Sequence, residues 1–234
     1  MWIRLAISAA LLAASVTAVL AAPSRIVILR GGEKADDWKL CETGRQRAQA
    51  LKYNYLGKDA AKSLFSEDAP PAFFFAMTLH TAELAAPAVQ SWNKPVIFYS
   101  ALPQDNEKAF TELLHERTRE AAGNILNNPA LKGKTVVMVW EHKHIADTAL
   151  DDKYQREAAV TLRQLFHLDI LPGVPREWPE DNYDYFWIVD FPENSNVPSK
   201  FEMVKQEFGK SFPNVPANDW GESNGLDAKS GCVK

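Results

Sequence analysis

Five stretches of the chain are apolar almost without interruption: RIVIL from Arg25, AFFFAM from Ala72 to Met77, PVIFYSAL from Pro95 to Leu102, TVVMVW from Thr135 to Trp140 and YFWIVDF from Tyr185 to Phe191. Runs this short, rich in β-branched and aromatic residues, predict buried strands. Between the first four, apolar positions recur at helical spacing. Thr43 is placed to cap a helix with Ala48, Leu51 and Tyr55 on one face, and Phe110, Leu114, Ala121 and Ile125 mark a longer one. A further helix is predicted from Gln155 to Phe166, with Ala158, Leu162 and Leu165 inward. Apolar strands alternating with helices predict a mainly parallel sheet covered on both faces, a three-layer α/β/α sandwich. The fifth run breaks the alternation. It is followed by the turn-like PENSNVPS and by KFEMVKQEF, whose Phe201, Met203 and Val204 predict an antiparallel edge hairpin.

The first residues have one positive charge at Arg4, an alanine-rich apolar stretch, and small residues at Val19 and Ala21 suited to peptidase cleavage. This pattern predicts a signal peptide over residues 1–21 and a periplasmic or secreted protein with no stable membrane span after cleavage. The rival reading is an uncleaved anchor, which the Ala and Ser content disfavours. What remains, about 210 residues, suits one domain with one sizeable core. That domain is placed at 22–212, and the composition of 213–234 is that of a loop or loose tail. A net charge of -4, with Lys and Arg scattered rather than striped, excludes the usual electrostatic footprint of a nucleic-acid binder. The two cysteines, Cys41 and Cys232, can bridge after export, but spacing alone does not decide whether they meet.

Polar groups concentrate after two of the strands, in LRGGEK and WEHKHI. Glycines directly after a buried strand let the backbone turn sharply or approach a ligand closely, and strand ends are where parallel sheets hold their sites. From here the chain resembles a known family. IVILRGGEK with LCETGRQRAQAL resembles the opening of the histidine phosphatase superfamily, the phosphoglycerate-mutase-like fold, in which an Arg-His-Gly-Glu motif ends the first strand. FFFAMTLHTAELAAPAVQSWNKPVIFYSAL resembles the family's second strand, its Thr-Ala-containing helix and its third strand. TVVMVWEHKHIADTAL resembles the strand that delivers the family's second histidine, which falls on His142. The motifs follow the family's order over most of Arg25 to Leu150.

The resemblance implies a phosphoric monoester hydrolase as the parent activity, and this chain departs from it at the centre. Gly31 stands where the family's nucleophilic imidazole would be. No arginine surrounds AMTLHTAEL, so His80 is the side chain there able to carry positive charge, and the proton donor, for which Asp105 and Glu107 are candidates, is not identified. Phosphoryl transfer through a covalent intermediate needs a nucleophile, cations or N–H groups around the equatorial oxygens, and a proton for the leaving group. Arg30, Gly32 and His80 are the candidate phosphate ligands, with His142 as the remaining catalytic residue and Glu33, Glu141 and His144 in support. Gly31 is expected to leave a gap of about imidazole size beside Arg30 and His142.

The expected protein is therefore catalytically impaired and retains a pocket for phosphate or a phosphorylated small molecule, with no cofactor. Two alternatives stand beside it: a working phosphomonoesterase that attacks with water or with His142 or His80, and an exported scaffold without a small ligand. On an extended strand end His142 and His144 would point to one side, as a metal pair does, but His80, His115 and His167 have no ligand spacing to complete such a site, so none is expected.

Overall fold

The computed structural model describes residues 22–226 and 228–233, so the expected signal peptide lies outside the described residues. No helix among the described residues is long and apolar enough to cross a membrane. Strand β1 (Arg25–Arg30) is followed by helix α1 (Glu42–Leu51), β2 (Pro71–Ala76), α2 (Leu79–Ser91), β3 (Val96–Phe98) and α3 (Glu107–Asn127). Then come β4 (Thr135–Trp140), three short helices α4 (His142–Ile145), α5 (Thr148–Lys153) and α6 (Leu162–Leu165), and strands β5 (Tyr185–Asp190) and β6 (Lys200–Lys205). They form one six-stranded sheet in the order β3-β2-β4-β1-β5-β6. The first four strands run parallel, while β5 is antiparallel to β1 and β6 to β5, the predicted edge hairpin.

Strand alternation assigns the two faces. Val27 and Leu29 of β1, Phe74 of β2 and Val137 and Val139 of β4 pack with Ala48, Leu51, Leu84 and Ala88 of α1 and α2. Ile26, Ile28, Phe75, Met138 and Trp140 point the other way and pack with Ala121, Ile125, Leu162 and Phe166 on the α3 and α6 side. The inner strands are thus buried on both sides, which is why their runs read as continuously apolar and not as alternating.

Three local expectations are corrected. The N-cap of α1 is Cys41, with Thr43 inside the first turn. The helix predicted from Gln155 to Phe166 is broken into a 3-10 turn (Arg156–Ala158) and the short α6, leaving Ala158 exposed. The break has local causes. Arg156 adopts a left-handed φ of 55°, and Thr161 caps α6 by accepting the Gln164 N–H at 3.3 Å while donating to the buried Asp151 at 2.5 Å. Lastly, β3 is short because PVIFYSAL leaves regular pairing after Phe98, although Tyr99 and Ala101 still donate to the Ala76 and Met77 carbonyls at 2.9 Å.

The segment after Pro213 is a loop, but a pinned one. Trp220 packs against Trp178 and Tyr185 with ring centroids 5.2 and 5.3 Å away. Cys232 is bonded to Cys41 across 191 residues, and Val233 donates to the Lys34 carbonyl at 2.7 Å. A cross-link over so long a span constrains the unfolded chain strongly. Cys232→Ser is expected to lower unfolding free energy by about 2–4 kcal/mol in urea titrations, and a reductant should bring the unmodified protein to the same midpoint. An unmodified protein indifferent to reductant would show that the bridge contributes nothing.

Candidate active site at the strand ends

Parallel pairing of β1 with β4 puts Arg30 opposite Trp140, and the Gly31 N–H donates to the Trp140 carbonyl at 2.9 Å. Residues 30–33 and 141–144 therefore leave the sheet side by side on one edge. The β2 strand, on the other side of β4, ends at the same edge and delivers Thr78 and His80 at the start of α2. All the polar segments singled out in the sequence converge here.

Arg30 is buried, and its guanidinium is turned toward the segment before β5. One terminal nitrogen, Nη1, donates to the carbonyls of Pro179 at 3.1 Å, of Asn182 at 3.4 Å, and of Glu180. The guanidinium carbon lies 3.8 Å from the centroid of the Tyr183 ring. Nε is buried with no hydrogen-bond partner. Burial pushes this guanidinium down from its ordinary value, with the charges of Tyr183, Glu141 and Glu33 opposing.

Glu33 does not face a ligand. It is buried and accepts from Arg47 Nη2 at 2.7 Å and from Nε at 3.0 and 3.1 Å. The other terminal nitrogen of Arg47 lies 2.8 Å from Asp184 and donates to Gln206 Oε1 at 3.0 Å. Burial disfavours charge on Arg47, yet its two carboxylate partners outweigh that and hold the guanidinium above its ordinary range. Glu33, expected in support of the phosphate site, instead supports the fold through Arg47. Gly32 is also enclosed: a Cβ there would meet Leu84 Cδ1 at 3.0 Å and Leu40 Cδ2 at 3.2 Å, so the glycine lets α2 and the 33–41 loop close on the strand end.

The gap expected beside Gly31 is filled. A Cβ on this residue would lie 3.2 Å from His80 Cδ2, 3.2 Å from Thr81 Cγ2 and 3.5 Å from His80 Nε2. His80 Nε2 is 2.7 Å from Glu141 Oε1, the oxygen that also accepts from Thr78 Oγ1 at 2.9 Å. Burial works against ionising Glu141, but the neighbouring His80 prevails and holds this carboxyl well below the usual carboxylate range. Glu141, expected in support of the site, anchors His80.

His142 and His144 occupy a single helical turn and not an extended strand, which turns their rings apart and removes the basis for a metal pair. No group of three or more His, Cys, Asp or Glu suited to a metal is present among the described residues. His142 Nε2 is buried and unpartnered, and burial together with the Arg30 charge pushes its pKa down to about 3. His144, expected in support of the site, makes no hydrogen bond through either ring nitrogen and packs on His115 with centroids 5.2 Å apart. Asp105 and Glu107 are exposed at the start of α3.

Sequence reasoning missed Arg47, Asp184 and the 179–183 segment. Arg47 had a readable signal: it precedes Ala48 and Leu51 on the inward side of α1, and a charge there requires a partner. The carbonyls that hold Arg30 had none, because any residue type supplies a backbone oxygen.

No family model and no curated protein matches the chain. Among solved structures, a mycobacterial glucosyl-3-phosphoglycerate phosphatase aligns at 15% identity over 78% of this chain and 98% of its own, with a TM-score of 0.42. The complex of that phosphatase with inorganic phosphate aligns at 12% identity over 87% and 100%, with a TM-score of 0.42. A protein described as mycobacterial hydrolase 2 aligns at 13% over 85% and 93%, with a TM-score of 0.42. Likeness at this level says nothing of this chain's chemistry.

Removing the central cation is the sharpest test of the buried ion cluster. Arg47→Met strands Glu33 and Asp184 without a counter-ion and is expected to cost about 3–5 kcal/mol at pH 7 by urea unfolding. Adding Glu33→Gln and Asp184→Asn should recover most of the loss. The single variant's deficit should shrink toward pH 5: burial raises the Asp184 carboxyl and Arg47 opposes it, so without Arg47 the raised group costs stability as pH rises through its folded pKa and returns it as pH falls.

Proposed function

We propose that this chain is an exported protein of the histidine phosphatase type that no longer turns over a phosphate ester and instead binds phosphate or a phosphorylated small molecule at its strand-end site. The observation that carries the first half is the state of Gly31. The residue has no nucleophile, and the space above it holds the His80 ring, itself engaged with Glu141. Loss of a nucleophile lowers turnover by roughly 10⁴-fold or more. His80 Nε2, the ring nitrogen nearest the Gly31 position, is held by the Glu141 carboxylate, so attack from this ring falls to Nδ1, which is buried.

Arg30 Nε and His142 Nε2 support the second half. Both are buried on the same edge without a protein partner, and a buried polar atom left unpaired costs about 1–3 kcal/mol. An oxyanion accepts from Arg30 Nε–H and from a His142 tautomer that donates through Nε2. Gly31→His alone is not a repair on this reading, because the new ring has to displace His80.

A scaffold without a small ligand is the second reading, favoured by the three carbonyls that already occupy Arg30 Nη1. Calorimetric titration with inorganic phosphate separates the two. Arg30→Gln is expected to weaken binding by about 1.5–3 kcal/mol, the worth of one charged hydrogen bond, with Lys34→Ala changing it little. Equal losses from both variants would reduce the binding to diffuse electrostatics, and no binding by the unmodified protein would establish the scaffold.

A further inference from the structure

A cavity of about 370 Å³ opens beside the strand-end site, lined by Thr111, Leu114 and His115 of α3 and by the 141–150 segment. His115 and His144 are respectively 1% and 4% exposed, and none of their four ring nitrogens has a hydrogen-bond partner. The nearest acid to His115, Glu112, stands 3.6 Å from Nδ1, beyond hydrogen-bond reach. Buried imidazoles are ordinarily satisfied, so two adjacent unsatisfied rings beside a cavity mark a place where another molecule completes the bonding.

The remaining lining sets the sign of that molecule. Both acids are already engaged, Glu141 by His80 and Thr78, and Asp147 by capping the Leu150 N–H at 2.8 Å. Free capacity therefore lies with His115 and His144, each of which offers one ring N–H when neutral, and with the ammonium of Lys143, which only donates and makes no ion pair among the described residues. Lys143 gives this lining its one unpaired formal charge, and it is positive. Leu114 and Leu150 add apolar wall. We propose that this cavity is a second ligand site, distinct from the phosphate site, that takes a small organic acid with its carboxylate on His115 and His144 and its apolar part against Leu114 and Leu150.

Binding there is coupled to a proton. Burial holds His144 down to about 3, with the neighbouring His115 and Lys143 acting in the same direction and Glu141 against, and burial also lowers His115, which faces Glu112, Arg119 and Lys153. Both rings are therefore neutral at pH 7 when the cavity holds no ligand. An arriving carboxylate supplies the opposite charge that favours imidazolium, so one ring takes up a proton from solvent as the anion enters. Affinity then rises as pH falls from 8 to 6, where the ligand's own carboxyl is still ionised.

Sodium benzoate serves as the probe, titrated calorimetrically at constant ionic strength in two buffers of different ionisation heat. The expected result is binding with net proton uptake, weakened at least about tenfold by His144→Gln or His115→Gln with the uptake lost. Arg30→Gln should leave benzoate binding unchanged while weakening phosphate, so failure of one site is distinguishable from failure of the other. ¹⁵N spectra of the unmodified protein keep the test valid if the variants unfold, because benzoate must shift the His115 and His144 ring signals. The proposal is overturned by absence of benzoate binding, by binding without proton uptake or ring shifts, or by phosphate competing for the same site.

Discussion

The fully buried guanidinium of Arg47, clamped between Glu33 and Asp184, is the contact on which the rest of the site's geometry depends. Glu33 belongs to the turn after β1, Arg47 to α1, and Asp184 to the approach into β5, so one cation joins three segments far apart in sequence. Isolated charges at this depth are very costly, whereas a complete set fixes one arrangement of the chain. With Asp184 held, the preceding residues 179–183 are laid over Arg30, whose guanidinium then meets backbone oxygens and the Tyr183 ring.

The same edge has undergone a second closure. A glycine after Arg30 leaves no side chain to oppose His80, and His80 rests above it against Glu141 and Thr78. On the reading proposed above, the groups of a phosphoryl-transfer centre stand in position with altered roles. One arginine is a structural donor whose Nε is buried without a partner, one histidine is tied to a carboxylate, and the other has a buried, unpartnered Nε2. The proposal of binding without transfer follows from that difference, since binding needs donors while covalent transfer also needs a nucleophile in line.

Much of the architecture was legible because the signals were local and strong. Continuous apolar runs gave the four parallel strands and the edge hairpin, and the strand ends placed the polar segments together. What failed to show was set by tertiary contact. The 155–166 helix had acceptable spacing, yet a buried Asp151 captures Thr161 and Arg163 and breaks it. The burial of Glu33 does not show in LRGGEK because its partner Arg47 lies 14 positions away and Arg47's second carboxylate, Asp184, comes from a distant segment. His142 and His144 looked like a strand pair because nothing in EHKH announces that the backbone coils immediately after Trp140. The filled space above Gly31 depends on the trajectory of α2, which no short motif records.

Reaction with an aryl phosphate, followed by ³¹P spectroscopy for a phosphoryl group on histidine, addresses the central claim directly. The expected result is neither release of the aryl alcohol above background nor a phosphohistidine signal, under conditions where inorganic phosphate binds. Turnover accompanied by a phosphoryl group trapped on His80 or His142 would contradict it, since that outcome requires one of these rings to attack in line in place of the side chain that Gly31 lacks.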